Sequence, residues 1–315
     1  MENLARLTNH IRSELSKVIV GQQEIVDQLL IVLACGGHAL LEGVPGLAKT
    51  LTVKTLARIC ALGFQRIQCT ADLMPADIIG TNVFNLSTSQ FSLHRGPIFT
   101  DLLLVDEINR TTARTQAALL ESMEERQATI DGVRYDLGSN FTVFATQNPV
   151  EFEGTYPLPE AQLDRFLLKI RIDYPSADAE VEILKRFETL SDSHLIEHVR
   201  LEPIDPAVIA AARAEIAQVR VEPALYQYLV TVIRRTRDWP ALSLGASPRA
   251  AIGLFFVARA LAGMEGRDFL IPDDIKHAAP AVLRHRLMLK PEADLEGVTA
   301  DSVIADILAA VEVPK

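Results

Sequence analysis

The chain predicts an α/β fold, a parallel sheet covered on both faces by helices, followed by an all-helical second domain. Three observations carry this. Short apolar runs of strand length alternate with helical patterns over the first part of the 315 residues, and strands buried on both faces read as continuous apolar runs. Beyond Pro203 only helical periodicity is evident. The first strand runs into a glycine-bearing turn that opens a helix, LLEGVPGLAKT at residues 40–50.

In chain order, apolar residues at helical spacing predict amphipathic helices over 4–18 and 22–34. A short strand at 38–41 leads through the turn to a helix over 49–59. Further strands are predicted at 64–69, 102–106, 141–146 and 167–172, with helices at 112–125 and 177–190. The character changes after Tyr174-Pro175. Helices are expected at 206–218, 223–237, 248–264 and 272–286, each opening with a proline, the residue favoured at the first helical position. The division expected is a core over residues 1–200 and a helical domain over 201–315. Two long loops interrupt the core. Residues 71–97 are turn-rich, with Asn85-Leu86-Ser87-Thr88-Ser89 as a hairpin tip, and 126–140 contain Asp131-Gly132 between Ile130 and Val133, a hairpin signal. Ordinary connections run about 4–6 residues, so insertions of this length point to function.

Composition narrows the class. The balance of 31 basic against 41 acidic residues, net −10, argues against a broad nucleic-acid footprint, although a local basic pore lining fits within that total. No apolar run reaches the roughly 18 residues of a membrane span; residues 29–37 and 250–258 are followed closely by His38 and Arg259. The opening MENLARL has no signal-peptide pattern, so the expectation is a cytoplasmic protein. Cys35, Cys60 and Cys69 are odd in number and lack C-x-x-C spacing, which predicts small buried hydrophobes rather than disulfides or zinc ligands.

The turn at 40–50 carries the chemistry. Gly43 and Gly46 flank Val44-Pro45, and Leu47-Ala48 lead into Lys49-Thr50-Leu51 at a helix start. Successive backbone N–H groups in such a turn, with the positive end of the helix, form a cradle for a phosphate chain. Lys49 would contact the outer phosphates of ATP and the Thr50 hydroxyl would hold Mg²⁺. Ala48 stands where the strict motif has glycine, and the expectation is a right-handed backbone there. The competing reading is an ordinary strand-to-helix turn that carries Lys-Thr. A second motif, LLLVDE at 102–107, is an apolar strand ending in two acids, the edge where open α/β sheets bind ligands. Asp106 would hold Mg²⁺ through its water shell and Glu107 would polarise the attacking water; the competing reading is a helix cap. A third strand ends in Gln147-Asn148-Pro149, where an amide can bond both the γ-phosphate and the lytic water.

Taken together, GVPGLAKT, VDEINR at 105–110 and TQNPVEFEGTYPLPEAQLDRF at 146–166 resemble the AAA+ ATPases, and more closely their MoxR family. The likeness covers residues 20–286, and alanine at position 48 is usual in that family. It implies an AAA+ P-loop core with a helical lid, Asn148 as the first sensor, and Arg165 as an arginine finger reaching the ATP site of the next subunit in a ring, usually a hexamer. A local ion pair of Arg165 with Asp164 or Glu160 is the rival role. Arg249 resembles the second sensor; at a helix start, after Ser247 as N-cap, its charge opposes the helix dipole, which suits a cation needed for a triphosphate. A solvated surface arginine is the alternative. Val20-Gly21-Gln22 looks like the segment that packs on adenine, and the two hairpins match insertions that commonly face the pore.

The function this implies is Mg²⁺-dependent ATP hydrolysis driving chaperone-like remodelling of a client protein, with a separate von Willebrand factor A domain protein as partner. Three alternatives stay open: a magnesium-chelatase-type ATPase subunit, a nucleic-acid motor, and a non-enzymatic nucleotide-gated scaffold. Hairpins without clustered Lys, Arg and aromatic residues count against the motor. Glu107 counts against the scaffold.

Overall fold

The structure, a computed structural model, describes residues 1–148, 154–189 and 199–314. The chain opens with helices α1 (Glu2–Ser16) and α2 (Gln23–Cys35), then strand β1 (Ala39–Glu42), α3 (Lys49–Ile59) and β2 (Phe64–Gln68). A short helix, α4 (Pro75–Ile79), precedes a hairpin of β3 (Gly80–Asn85) and β4 (Gln90–Arg95). After β5 (Leu102–Asp106) and a 3-10 turn at Ile108–Arg110 come α5 (Ala113–Glu125) and a second hairpin, β6 (Gln127–Ile130) with β7 (Val133–Asp136). The core closes with β8 (Thr142–Gln147), α6 (Glu160–Leu163), β9 (Leu168–Arg171) and α7 (Ala177–Thr189).

The main sheet has the order β2-β5-β8-β1-β9 and every pairing in it is parallel. Alternate residues of each strand face opposite layers, as the pleat requires. On β5, Leu102 and Leu104 join the larger core, whereas Leu103 and Val105 join the smaller one under α5, with Leu119, Met123, Phe141 and Phe166. The larger core runs without a break from the sheet through Leu4, Leu7, Ile11 and Leu15 of α1, at helical spacing, into the C-terminal helices. α2 ends where Gly36 takes a left-handed backbone (φ +64°) and the Gly37 N–H bonds the Val32 carbonyl, a Schellman-type stop.

Beyond residue 203 the long helices are Ala207–Gln218, Pro223–Arg237, Pro248–Met264 and Pro272–Leu283. Pro223, Pro248 and Pro272 open their helices as expected, but Pro206 lies one residue outside its helix. The helix expected over 272–286 stops at Leu283, because the chain then turns to bring His285 and Arg286 onto the Phe166 carbonyl, at 2.9 and 2.6 Å. The expectation of no strand beyond Pro203 is also corrected: Leu242–Leu244 pairs antiparallel with Met288–Leu289, a ribbon too short to leave a periodic signal. Two short helices, Pro291–Leu295 and Ala300–Ala310, complete the chain; the second is capped by the Thr299 hydroxyl, which accepts from the Ser302 N–H at 3.1 Å.

All three cysteines are free; Cys60 and Cys69 are buried, and burial pushes all three thiols up to about 12. No helix among the described residues is long and apolar enough to cross a membrane.

His38, at the foot of β1, ties the core together. Its Nε2–H donates to the Met123 carbonyl of α5 (3.1 Å), and its Nδ1 accepts from the Val143 N–H of β8 (2.9 Å). A proton on Nδ1 would destroy the second bond, and burial lowers the pKa from 6.5 to about 4. The unfolded chain therefore binds a proton here that the folded chain refuses. The contribution, about 3 kcal/mol, is present in full above pH 6.5 and is lost as pH falls towards 4. His38→Gln is expected to flatten that acid-side fall; equal slopes of stability against pH in the two proteins would refute the assignment.

Candidate active site

The parallel register lines up the C-terminal ends of four strands: Glu42 lies opposite Gln147, and Gln68 opposite Asp106. The phosphate-cradle loop leaves β1 at this edge. Gly43 is required by close approach, since a Cβ there would sit 2.6 Å from the Ile172 carbonyl oxygen. Gly46 is required by its backbone, φ +87°, with open space where a side chain would stand. Ala48 also adopts a left-handed backbone (φ 56°, ψ 19°), not the right-handed one expected from the sequence. Helix α3 then starts at Lys49, whose Nζ donates to the carbonyls of Gly43 (2.5 Å) and Val44 (3.4 Å). Burial lowers the Lys49 pKa, and Asp106 and Glu107 oppose that shift.

Asp106 is the centre of the site. Its carboxylate is buried and accepts from Thr50 Oγ1 (3.4 Å), Thr146 Oγ1 (3.1 Å) and Arg66 Nε (2.6 Å). The Thr146 hydroxyl in turn accepts from the Glu107 N–H at 2.8 Å. Glu107 sits in a left-handed turn (φ 57°) and meets Gln68 Nε2 at 2.9 Å and Arg110 Nε at 3.1 Å. Asn148 follows β8 at the same edge and is buried. The helix-cap reading of the paired acids is excluded: Glu107 gives no side-chain cap to the 3-10 turn, and α5 is capped by the Thr112 hydroxyl. The Thr50 hydroxyl and the Asp106 carboxylate offer adjacent hard oxygens. That suits Mg²⁺, which takes one or two protein oxygens and completes its shell with phosphate and water.

Beside the cradle lies a cavity of about 390 Å³ whose walls include Val18, Ile19, Val20, Leu47, Leu51 and Tyr174. Pro45, Gly46, Ala48 and Gln22 also line it; Gly21 and Gln22 are consecutive left-handed residues that turn the chain into α2. An apolar slot opening onto a phosphate cradle fits a purine base. Gly21, Gly43 and Val44 do not line the slot.

Two expected site residues lie elsewhere. Arg165 precedes β9 and Arg249 opens the helix Pro248–Met264, at the end of the sheet where the strands begin. Both pair with Glu124 near the end of α5, Arg165 through Nε at 3.0 Å and Arg249 through Nη2. The partner of Arg165 is thus neither Asp164 nor Glu160. Asp164 instead takes Arg286 (2.6 Å) and the hydroxyl of Ser247 (2.8 Å), which caps the Arg249 helix as expected. Residues 149–153 of the third motif lie outside the described residues.

Residues 38–168 match the family model for the "ATPase family associated with various cellular activities (AAA)", and 234–307 match the AAA lid domain. The chain is 43% identical to the chaperone MoxR1 of Mycobacterium tuberculosis, over 96% of this chain and 81% of that one. The chain belongs to the MoxR family of AAA+ ATPases. It is also 45% identical to YeaC of Bacillus subtilis over 99% of this chain and 97% of that protein. A crystallised candidate ATPase from Cytophaga hutchinsonii superposes with a TM-score of 0.90 at 41% identity, covering 100% of this chain and 98% of that one.

For a MoxR-family ATPase, the sequence motifs pick out the cradle and both acids but miss their supports, Arg66, Gln68, Thr146 and the slot wall at Tyr174. Threonine in the TQN motif was the one available signal. The left-handed Ala48 has a measurable consequence. A non-glycine residue in this region costs about 1–2 kcal/mol, partly offset by the unfolded-state entropy of glycine. Ala48→Gly is therefore expected to be neutral or stabilising by up to about 1 kcal/mol in denaturant unfolding, whereas the same change inside a right-handed helix costs about 1 kcal/mol; a clear loss of stability would sink the strain argument.

Proposed function

We propose that this MoxR-family ATPase hydrolyses Mg²⁺-bound ATP as a homo-oligomeric ring, a hexamer, in which each site is completed by the neighbouring copy. The reading assigns Lys49 to the outer phosphates, Thr50 and Asp106 to the metal, Glu107 to the attacking water and Asn148 to sensing the γ-phosphate. Val20 and Gln22 would pack on adenine, with Gly21 turning the chain between them rather than touching the base. Arg165 and Arg249 would both act on the next copy's nucleotide. The observation that supports this most is the separation of these groups: cradle, metal oxygens and acids share one edge of the sheet, and the two arginines share the other.

Residues 1–200 are proposed as the nucleotide-binding core and 201–315 as the lid. The output is chaperone-like work on a client, in keeping with the name of the mycobacterial relative, carried out in the cytoplasm with a separate von Willebrand factor A domain protein. The hairpin bearing Phe84, Leu86 and Phe91, all exposed, and the one turning at Asp131-Gly132 are joined by Asn82 Nδ2 donating to Asp131 (2.8 Å); they would touch the client as one unit.

Glu107→Gln is expected to keep nucleotide affinity and to lose turnover by at least about a hundredfold; unchanged phosphate release would remove Glu107 from the water. Arg165→Ala and Lys49→Ala should each be inactive alone. Mixed in one ring they should recover part of the activity, because an intact cradle then meets an intact arginine. No recovery in demonstrably mixed rings would overturn completion by the neighbour.

A further inference from the structure

Glu124 is a residue to which no motif points. It lies at the strand-start end of the sheet, its side chain 33% exposed, between two guanidinium groups from different parts of the chain: Arg165 from the segment before β9, Arg249 from the first turn of the helix Pro248–Met264. Two like charges brought to one place repel, and one carboxylate between them offsets that repulsion. The manner of contact matters. Glu124 takes Arg165 through Nε, at the base of the guanidinium, and Arg249 through a single terminal nitrogen. Each arginine has five donors in a planar fork, so terminal N–H groups remain for an incoming anion while the carboxylate holds both side chains in place. With these exposures the pairs contribute little stability. A stabilising role is therefore a poor account of the arrangement.

Glu124 also sits on a rigid element. α5 is 13 residues long, about 20 Å at helical rise. Its start is tied to the acid end of the sheet through the 3-10 turn that follows Glu107, and Gln116 Nε2 fastens that turn by donating to the carbonyls of Ile108 (3.2 Å) and Thr111 (3.1 Å). Near its far end, the Met123 carbonyl is fixed by His38 at 3.1 Å. The carboxylate that gathers the arginines is thus built onto a helix anchored at both ends.

We infer that Glu124 is a positioning residue for the reaction: it gathers Arg165 and Arg249 into one two-arginine clamp that this chain presents to the phosphates bound by its neighbour. The inference rests on the proposal that the arginines act on the next copy. Glu124→Gln keeps the shape and removes the charge. It should leave the thermal midpoint and the affinity of single, dissociated chains for a fluorescent ATP analogue unchanged. In assembled rings kcat should drop about ten- to a hundredfold, the scale of a misplaced catalytic group, with KM within about twofold. Glu124→Asp, which keeps the charge, should recover part of kcat. The same substitution placed in an Arg165→Ala, Arg249→Ala chain should not weaken analogue binding by assembled rings any further. Unchanged kcat in Glu124→Gln beside an inactive Arg165→Ala overturns the role of Glu124 alone. Full turnover in Arg165→Ala overturns the action on the neighbour and the role of Glu124 together. A fall in thermal midpoint that accounts for the lost turnover would make Glu124 merely structural and overturn the inference.

Discussion

The site is organised by one buried carboxylate. Asp106 ends an entirely buried strand, and an ionised group removed from water costs several kcal/mol unless its oxygens are bonded. Here the compensation comes from three directions: Arg66 on β2, Thr146 on β8 and Thr50 on α3. The same contacts fix the relative positions of those elements. β2 and β8 flank β5 in the sheet, and the hydroxyl of Thr50 draws the first turn of α3, with the loop before it, onto the acid end. Satisfying the acid and assembling the phosphate cradle are one structural requirement. Arg66 has a second effect: its guanidinium meets the Asp106 oxygen that Thr50 also approaches, so a positive charge already balances the carboxylate at the place proposed for the metal.

Sheet polarity then separates the cradle and acids from the two arginines proposed to serve a neighbour. Parallel strands place all their carboxyl ends together, so the groups following β1, β5 and β8 converge without any special loop design. Residues that precede strands fall at the other end. Arg165 precedes β9, and Arg249 is brought beside it by the fastening of the C-terminal helices to that segment.

How much of this was legible in the sequence follows from the range of each interaction. The cradle, the strand of four apolar residues before Asp106, and the turn at Asp131-Gly132 are local patterns, and their boundaries in the structure match or differ by a residue or two. At Ala48 the sequence shows that alanine tolerates a helix but not which hand the backbone takes just before one. Supports such as Arg66 and Gln68 lie on β2 and act across a strand pairing, and nothing in the local sequence distinguishes them from surface residues. Glu160 and Asp164 are the acids within a few residues of Arg165, whereas the fold supplies Glu124 from 41 positions earlier. The ribbon between Leu242–Leu244 and Met288–Leu289 is a long-range pairing of segments too short to show alternation.

The attachment of the C-terminal helices bears on how motion would pass round a ring. Arg286 is almost fully buried, its side chain 3% exposed. It bonds the Asp164 carboxylate at 2.6 Å, the carbonyls of Phe166 (2.6 Å) and Leu167 (3.2 Å), and that of Val282. Burial lowers its pKa and Asp164 opposes that shift. Removing one partner of such a pair leaves an uncompensated buried charge, at about 3–5 kcal/mol, so Arg286 and Asp164 each depend on the other for their place in the fold. The joint fastens the C-terminal helices to the segment that carries Arg165, which leads directly into β9 of the core sheet. In the proposed ring the two arginines would be held by α5 through Glu124 and by the C-terminal helices through Arg286, so a shift of either element would reach the neighbour's phosphates through them.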